Sequence, residues 1–257
     1  MLEVVIWGLV QGLTEFLPVS SSGHLVIVPD ALARLGVDIA PPSLSVSAVL
    51  HLGTLIAVLI YFRKDVVKVL RMRRDLEGRK IAFLVAVGTI PALIGLPLAG
   101  RLDKFQDTAA NVGWALMATG LVLIVGQRMA TGVRRMIDGR VPDAVVVGVA
   151  QAFALIPGIS RSGMTISAGE TRRFTPSEAA RFAFLLGIPA IAGGGLSQVL
   201  SLEESGGLGI ELLVGLVVAA VSGYIAIAVT LATVRRAGLT PFAIYCLVVG
   251  LATIVFL

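Results

Sequence analysis

Two short polar stretches interrupt an otherwise oily chain. Gln11 to His24 reads QGLTEFLPVSSSGH, and Pro157 to Thr165 reads PGISRSGMT. The first brings an amide, a carboxylate, three serines and an imidazole together; the second sets a guanidinium between two serines. An ionised side chain at bilayer depth costs about 2.5–3.5 kcal/mol on an insertion scale, so residues of this kind persist where they serve a function. Glu15 could orient or deprotonate His24, or hold a metal ion. Ser21 lies three residues before His24 and could be a nucleophile activated by it, a helix cap or a phosphate hydrogen bond. Arg161 offers a planar fork of donors suited to phosphate oxygens. An anion pocket, a cation to offset charge on a transferring phosphoryl group, and a nucleophile with a base are what phosphoryl transfer requires. Gln11, Ser20, Ser22 and Gly23 from the first stretch, with Ser160, Ser162, Gly163 and Thr165 from the second, are expected to line the phosphate site. The attacking group stays open between Ser21, His24 and water.

The elements that must position these residues follow from local rules. Pro18 cannot continue a helix that starts near Leu2, and Ser20, Ser21 and Ser22 are natural caps for a second helix from Gly23 to about Leu35. Such a helix start exposes unpaired N–H groups and a partial positive charge, a ready site for an anion. Leu2–Leu17 makes about 24 Å of helix, short of the roughly 30 Å hydrocarbon core. Val141–Ile156, broken at Pro157–Gly158, is short in the same way. Both regions are predicted to be re-entrant hairpins, tolerated at depth only when buried in protein or lining a wet cavity. Full spans are predicted at 45–62, 81–100, 111–127, 179–200, 211–234 and 240–257. The fold expected is therefore an all-α polytopic membrane protein with six transmembrane helices and two re-entrant hairpins. Gly88-Thr-Ile-Pro91 and Gly187-Ile-Pro189 are read as places of close packing and kinking.

An offset of 140 residues places Gly8, Gln11, Ser20, Ser22 and Gly23 on Gly148, Gln151, Ser160, Ser162 and Gly163. The mismatches set Glu15 against Leu155, Ser21 against Arg161 and His24 against Met164. One hairpin enters from each side, giving a single membrane domain over 1–257 built from inverted repeats of roughly 1–127 and 141–257. Such repeats meet near the midplane, where their site lies. Threading the chain this way puts seventeen of its 21 Lys and Arg residues on one face and only Arg34, Arg101 and Lys104 on the other, with Arg161 in the second hairpin. By the positive-inside rule the loaded face is cytoplasmic, which puts both termini outside and opens the site towards the outer face of the cell membrane.

Composition agrees and excludes other classes. The 257 residues are 56% hydrophobic and 14% charged, with a mean hydropathy of +0.94. The formal charge of +5 reads as loop charge rather than as a nucleic-acid surface. Cys246, the single cysteine, leaves no internal disulfide or cysteine metal site, and no signal peptide is expected to be removed. No Walker loop, dinucleotide fingerprint or HExxH motif is present. His51, alone in AVLHLGTL, is read as a hydrogen-bonded packing residue outside the site.

The two serine blocks and the inverted-repeat hydropathy together resemble the undecaprenyl-diphosphate phosphatase family of bacitracin-resistance type over the whole chain. The resemblance implies removal of the terminal phosphate from a polyprenyl diphosphate, leaving the monophosphate carrier used in cell-wall synthesis. It places Glu15, Ser21, His24 and Arg161 on catalytic positions and implies a divalent cation such as Mg²⁺. Position 11 is Gln where many members carry Glu, so one carboxylate that could hold the metal, with Glu15, is missing here. The expected partners are the lipid diphosphate and the membrane, with self-association open and nucleic acid excluded. The rival class is a polyprenyl-phosphate transporter or flippase of the same architecture. A nucleophile–base set argues against it, because translocation needs none.

Overall fold

The computed structural model describes residues 1–199 and 209–257, and in these the chain forms eleven α-helices. They are α1 (Leu2–Phe16), α2 (Ser21–Arg34), α3 (Leu44–Tyr61), α4 (Arg63–Leu70), α5 (Leu76–Leu102), α6 (Ala109–Met129), α7 (Val141–Phe153), α8 (Arg161–Thr171), α9 (Pro176–Val199), α10 (Ile210–Arg236) and α11 (Thr240–Phe256). Four of them, α3, α5, α6 and α10, are long and apolar enough to cross a membrane. The prolines at 91, 97 and 189 sit inside α5 and α9. The predicted span end at Leu200 lies outside the described residues.

Both breaks fall where the chain lacks the means to continue. Leu17 turns extended (φ −62°, ψ 138°) ahead of Pro18, as the residue before a proline must. The chain reverses through Ser20, which takes a positive φ of 70°, and Ser20 Oγ then accepts the Gly23 N–H to start α2. α2 thus begins at Ser21, two residues earlier than the sequence suggests, because the first of the three serines is the cap. In the second half Gly158 carries the positive φ, 89°, and Ser160 Oγ caps Gly163 N at 3.1 Å. Pro157 lies in the turn between α7 and α8, outside any helix.

The arms of these breaks are held by close backbone approach. A methyl group on Gly12 would run into Ala219 O and Ser222 Oγ of α10. A methyl on Gly148 would strike the Gly88 backbone of α5. Small residues of this kind let helices pack in contact where lipid offers no hydrophobic drive. So α1 lies on α10 as α7 lies on α5. Phe16 then meets Phe184 edge-on, centroids 5.6 Å apart, at the heart of the apolar core.

The two turns touch each other as well. The Gly158 N–H donates to Ser22 Oγ at 3.2 Å, and Ser162 Oγ donates to Leu17 O at 3.1 Å. Ser22 and Ser162 are equivalent under the 140-residue offset, and so are the peptide units 157–158 and 17–18. Proline at 18 removes the N–H that its counterpart uses, so the first unit can only accept. At the end of the bundle where the basic loops gather, Asp143 receives Arg134 and Arg172, each at 2.8 Å. Nearby, Arg181 grips both oxygens of Asp65, at 2.5 and 3.1 Å.

Candidate active site

The site is assembled by the two helix starts and the end of α1. Glu15, on the last turn of α1, is 8% exposed and accepts from three side chains. Arg161 Nη2 approaches Oε1 at 2.5 Å. Ser21 Oγ donates to Oε2 at 2.7 Å, and Gln11 Nε2 donates to the same oxygen at 2.9 Å. The second arm of the Arg161 fork is fixed by Gly187 O of α9 at 2.9 Å. One carboxylate therefore joins the first residue of α2 to the first residue of α8.

These groups open on a cavity of about 300 Å³ whose polar walls include Thr14, Glu15, Ser20, Ser21, Ser22, Ser160, Arg161 and Ser162, with His51 beside them. A second cavity of about 360 Å³ shares Ser21, Ser22 and His51 with it and continues past Gln11 to Pro41, Pro42 and Gln106. The N–H groups of Gly23 and Gly163 are taken by their own caps, leaving the first two N–H groups of each helix as the backbone donors at the wall. Thr165 turns its hydroxyl back onto Arg161 O at 2.8 Å and does not reach the cavity.

His24 stands differently from the expectation. It is 6% exposed and is not part of the cavity wall. Its Nδ1 bonds to Ser20 O and its Nε2 to the Tyr245 hydroxyl of α11, both at 2.7 Å. Ser21 bonds Glu15 rather than His24, and Glu15 pairs with Arg161 rather than with the imidazole. The reason is geometric: the carbonyl four residues back on the same helix captures Nδ1 and turns the ring away from Ser21. Sequence reasoning missed Tyr245, which no local signal marks, and His51. His51 carried the signal that flagged Glu15, a polar side chain deep in an apolar segment, and the ring lies on the wall of both cavities.

The bacitracin resistance protein BacA family model matches residues 4–252. The chain belongs to that family. Among relatives of this BacA-family chain, a protein named undecaprenyl-diphosphatase from Desulforudis audaxviator is 39% identical over 258 residues, covering 98% of this chain and 96% of the relative. The protein of the same name from Halothermothrix orenii is 37% identical with the same coverage. That of Geobacter sulfurreducens is 38% identical over 272 residues, covering 100% and 98%.

A resident metal does not fit this BacA-family site. Among the described residues no group of three or more His, Cys, Asp or Glu side chains is placed to hold an ion. Glu15 is the one carboxylate on the cavity wall, and both of its oxygens are engaged by donors. Gln11, where a second carboxylate would help, supplies an amide donor instead.

Proposed function

We infer that this membrane protein is an undecaprenyl-diphosphatase. It hydrolyses the terminal phosphate of a polyprenyl diphosphate to give the lipid monophosphate and inorganic phosphate, and so recycles the carrier for cell-wall synthesis. The observation that carries the reading is the Arg161–Glu15–Ser21 cluster on one cavity between two helix starts. A diphosphate entering it meets a guanidinium fork, serine hydroxyls and helix N-termini, the donor set that binds and stabilises a transferring phosphoryl group. Arg161 would exchange its Glu15 partner for the terminal phosphate. Glu15, once released, would hold Ser21 and the attacking oxygen in register. A divalent cation would arrive on the diphosphate itself, as part of the substrate, since the wall offers no cage for it.

In the membrane, α3, α5, α6, α9, α10 and α11 would be the six spans, and α1–α2 and α7–α8 the two re-entrant hairpins. The short length of the hairpin arms, and the polar turns buried between them, support that arrangement. The serine-rich cavity would then open towards the outer face, with Arg63–Lys80 in the cytoplasm. Phosphate released from undecaprenyl diphosphate by purified protein is the decisive measurement. Lipid movement across vesicles with no phosphate release would favour the flippase instead.

A further inference from the structure

The cavity wall contains one imidazole that the reading above leaves without a task. His51 lies near the middle of α3, and with Ser21 and Ser22 it is one of three residues shared by both cavities. Its Nδ1 is 2.8 Å from Ser47 O. A carbonyl can only accept, so Nδ1 carries the hydrogen and the lone pair of the neutral ring sits on Nε2. No group among the described residues bonds Nε2. His24 is the contrast: the same argument puts a hydrogen on its Nδ1, and its Nε2 lone pair is occupied by the Tyr245 hydroxyl. Of the chain's two histidines, His51 is the one that lines the cavity and whose Nε2 has no hydrogen-bond partner among the described residues.

We propose that His51 is the proton acceptor of the hydrolytic step, a role that rests on the phosphatase reading. The oxygen of a water molecule forms a bond to the terminal phosphorus of the lipid diphosphate. The bond from that phosphorus to the bridging oxygen breaks, and its electron pair stays on the departing lipid monophosphate. The proton lost by the water passes to His51 Nε2 and leaves through the second cavity, so the products are lipid monophosphate, inorganic phosphate and one released proton. Arg161 and Glu15 face the reacting group from the opposite hairpins; the fixed tautomer of His51 aims a base at it from α3. Ordering a base by a backbone carbonyl in this way is how enzymes choose which ring nitrogen reacts.

Steady-state phosphate release from undecaprenyl diphosphate by the full chain tests this. His51→Gln keeps size and polarity but cannot take the proton, so kcat is expected to fall by about 100-fold or more with KM changed less than about threefold. Imidazole added to His51→Ala should restore turnover in a saturable manner, which a purely structural role would not produce. On unmutated protein, diethyl pyrocarbonate should modify His51 ahead of His24 and abolish turnover, with protection by inorganic pyrophosphate and recovery in hydroxylamine. That arm decides the matter if the variants fold poorly. His51→Gln protein keeping about a third or more of the wild-type kcat would overturn the proposal, as would full activity after His51 is modified. Wild-type protein that releases no phosphate would instead remove the phosphatase reading, and the role of His51 with it.

Discussion

The hairpins α1–α2 and α7–α8 are two versions of one device with different contents. Each ends its first helix at a turn, caps its second with a serine, and sets a further serine two residues on within 3.3 Å of the cap. The second version stops there. Gly158 supplies the positive φ at little cost, and the counterpart of Glu15 is Leu155. Gln151, equivalent to Gln11, is 3% exposed and has no partner for either end of its amide among the described residues. The first version carries a carboxylate that uses its glutamine, and it makes a serine rather than a glycine adopt φ 70°, at a cost of about 1–3 kcal/mol. On the phosphatase reading, the repeated positions build the frame and the departures from the repeat carry the chemistry. Arg161 is the departure that the second hairpin contributes.

The comparison breaks most severely at Glu15. Glu15→Gln makes the first hairpin resemble the second, which has no carboxylate at that position, and turnover should fall by on the order of 10³-fold or more while lipid diphosphate binding persists. Phosphate release and a direct binding assay measured on the same preparation separate the two effects. Arg161→Lys tests the other departure. The charge survives but the fork joining Glu15 and Gly187 O does not, and kcat should drop by about 100-fold. Activity near wild type would mean that point charge alone suffices.

Ser21→Ala sharpens the contrast further. If water attacks, as proposed above with His51 as its base, Ser21 only steadies Glu15 and substrate, and about a tenth of the turnover should survive. A loss as deep as that of Glu15→Gln would make Ser21 the attacking oxygen. The smallest effect belongs to the empty half. Gln151→Leu removes a buried amide with no partner among the described residues, so activity should hold while stability gains about 1–3 kcal/mol, read as a higher melting temperature. Lost activity there would show that the second glutamine is more than a relic of the repeat.

Much of this frame is legible before any coordinates. Pro18 and the serine caps act through local rules, so the break at 17–20 follows from the residues themselves; the second is legible at Pro157–Gly158, although α7 already stops at Phe153, three residues before the expected Ile156. The meeting of Ser21 with Arg161 follows from the offset of the two blocks. The pairings inside the site are harder, because they are decided by which helix faces which. Glu15 and His24 are near in sequence, yet Glu15 finds Arg161, 146 residues away, and His24 finds Tyr245, 221 residues away. His51 reaches the cavity because α3 lies alongside α9. The choices of partner by Glu15 and His24 have no mark in the local sequence, whereas His51 is marked only by its polarity in an apolar segment.

The crossed bonds between Ser22 and Gly158 and between Ser162 and Leu17 have a mechanical meaning. Carriers built from inverted repeats rock one half against the other around the bound cargo. Here two serine bonds button the halves together, and the Glu15–Arg161 ion pair fastens them again until a phosphate takes the guanidinium. Parting them would break both serine bonds in any state and the ion pair as well in the empty site, at a cost of about 1–3 kcal/mol for each buried group left unpaired. On the proposed reading the lipid head then comes and goes through a standing doorway, with the tail left in the membrane while the phosphate is cut.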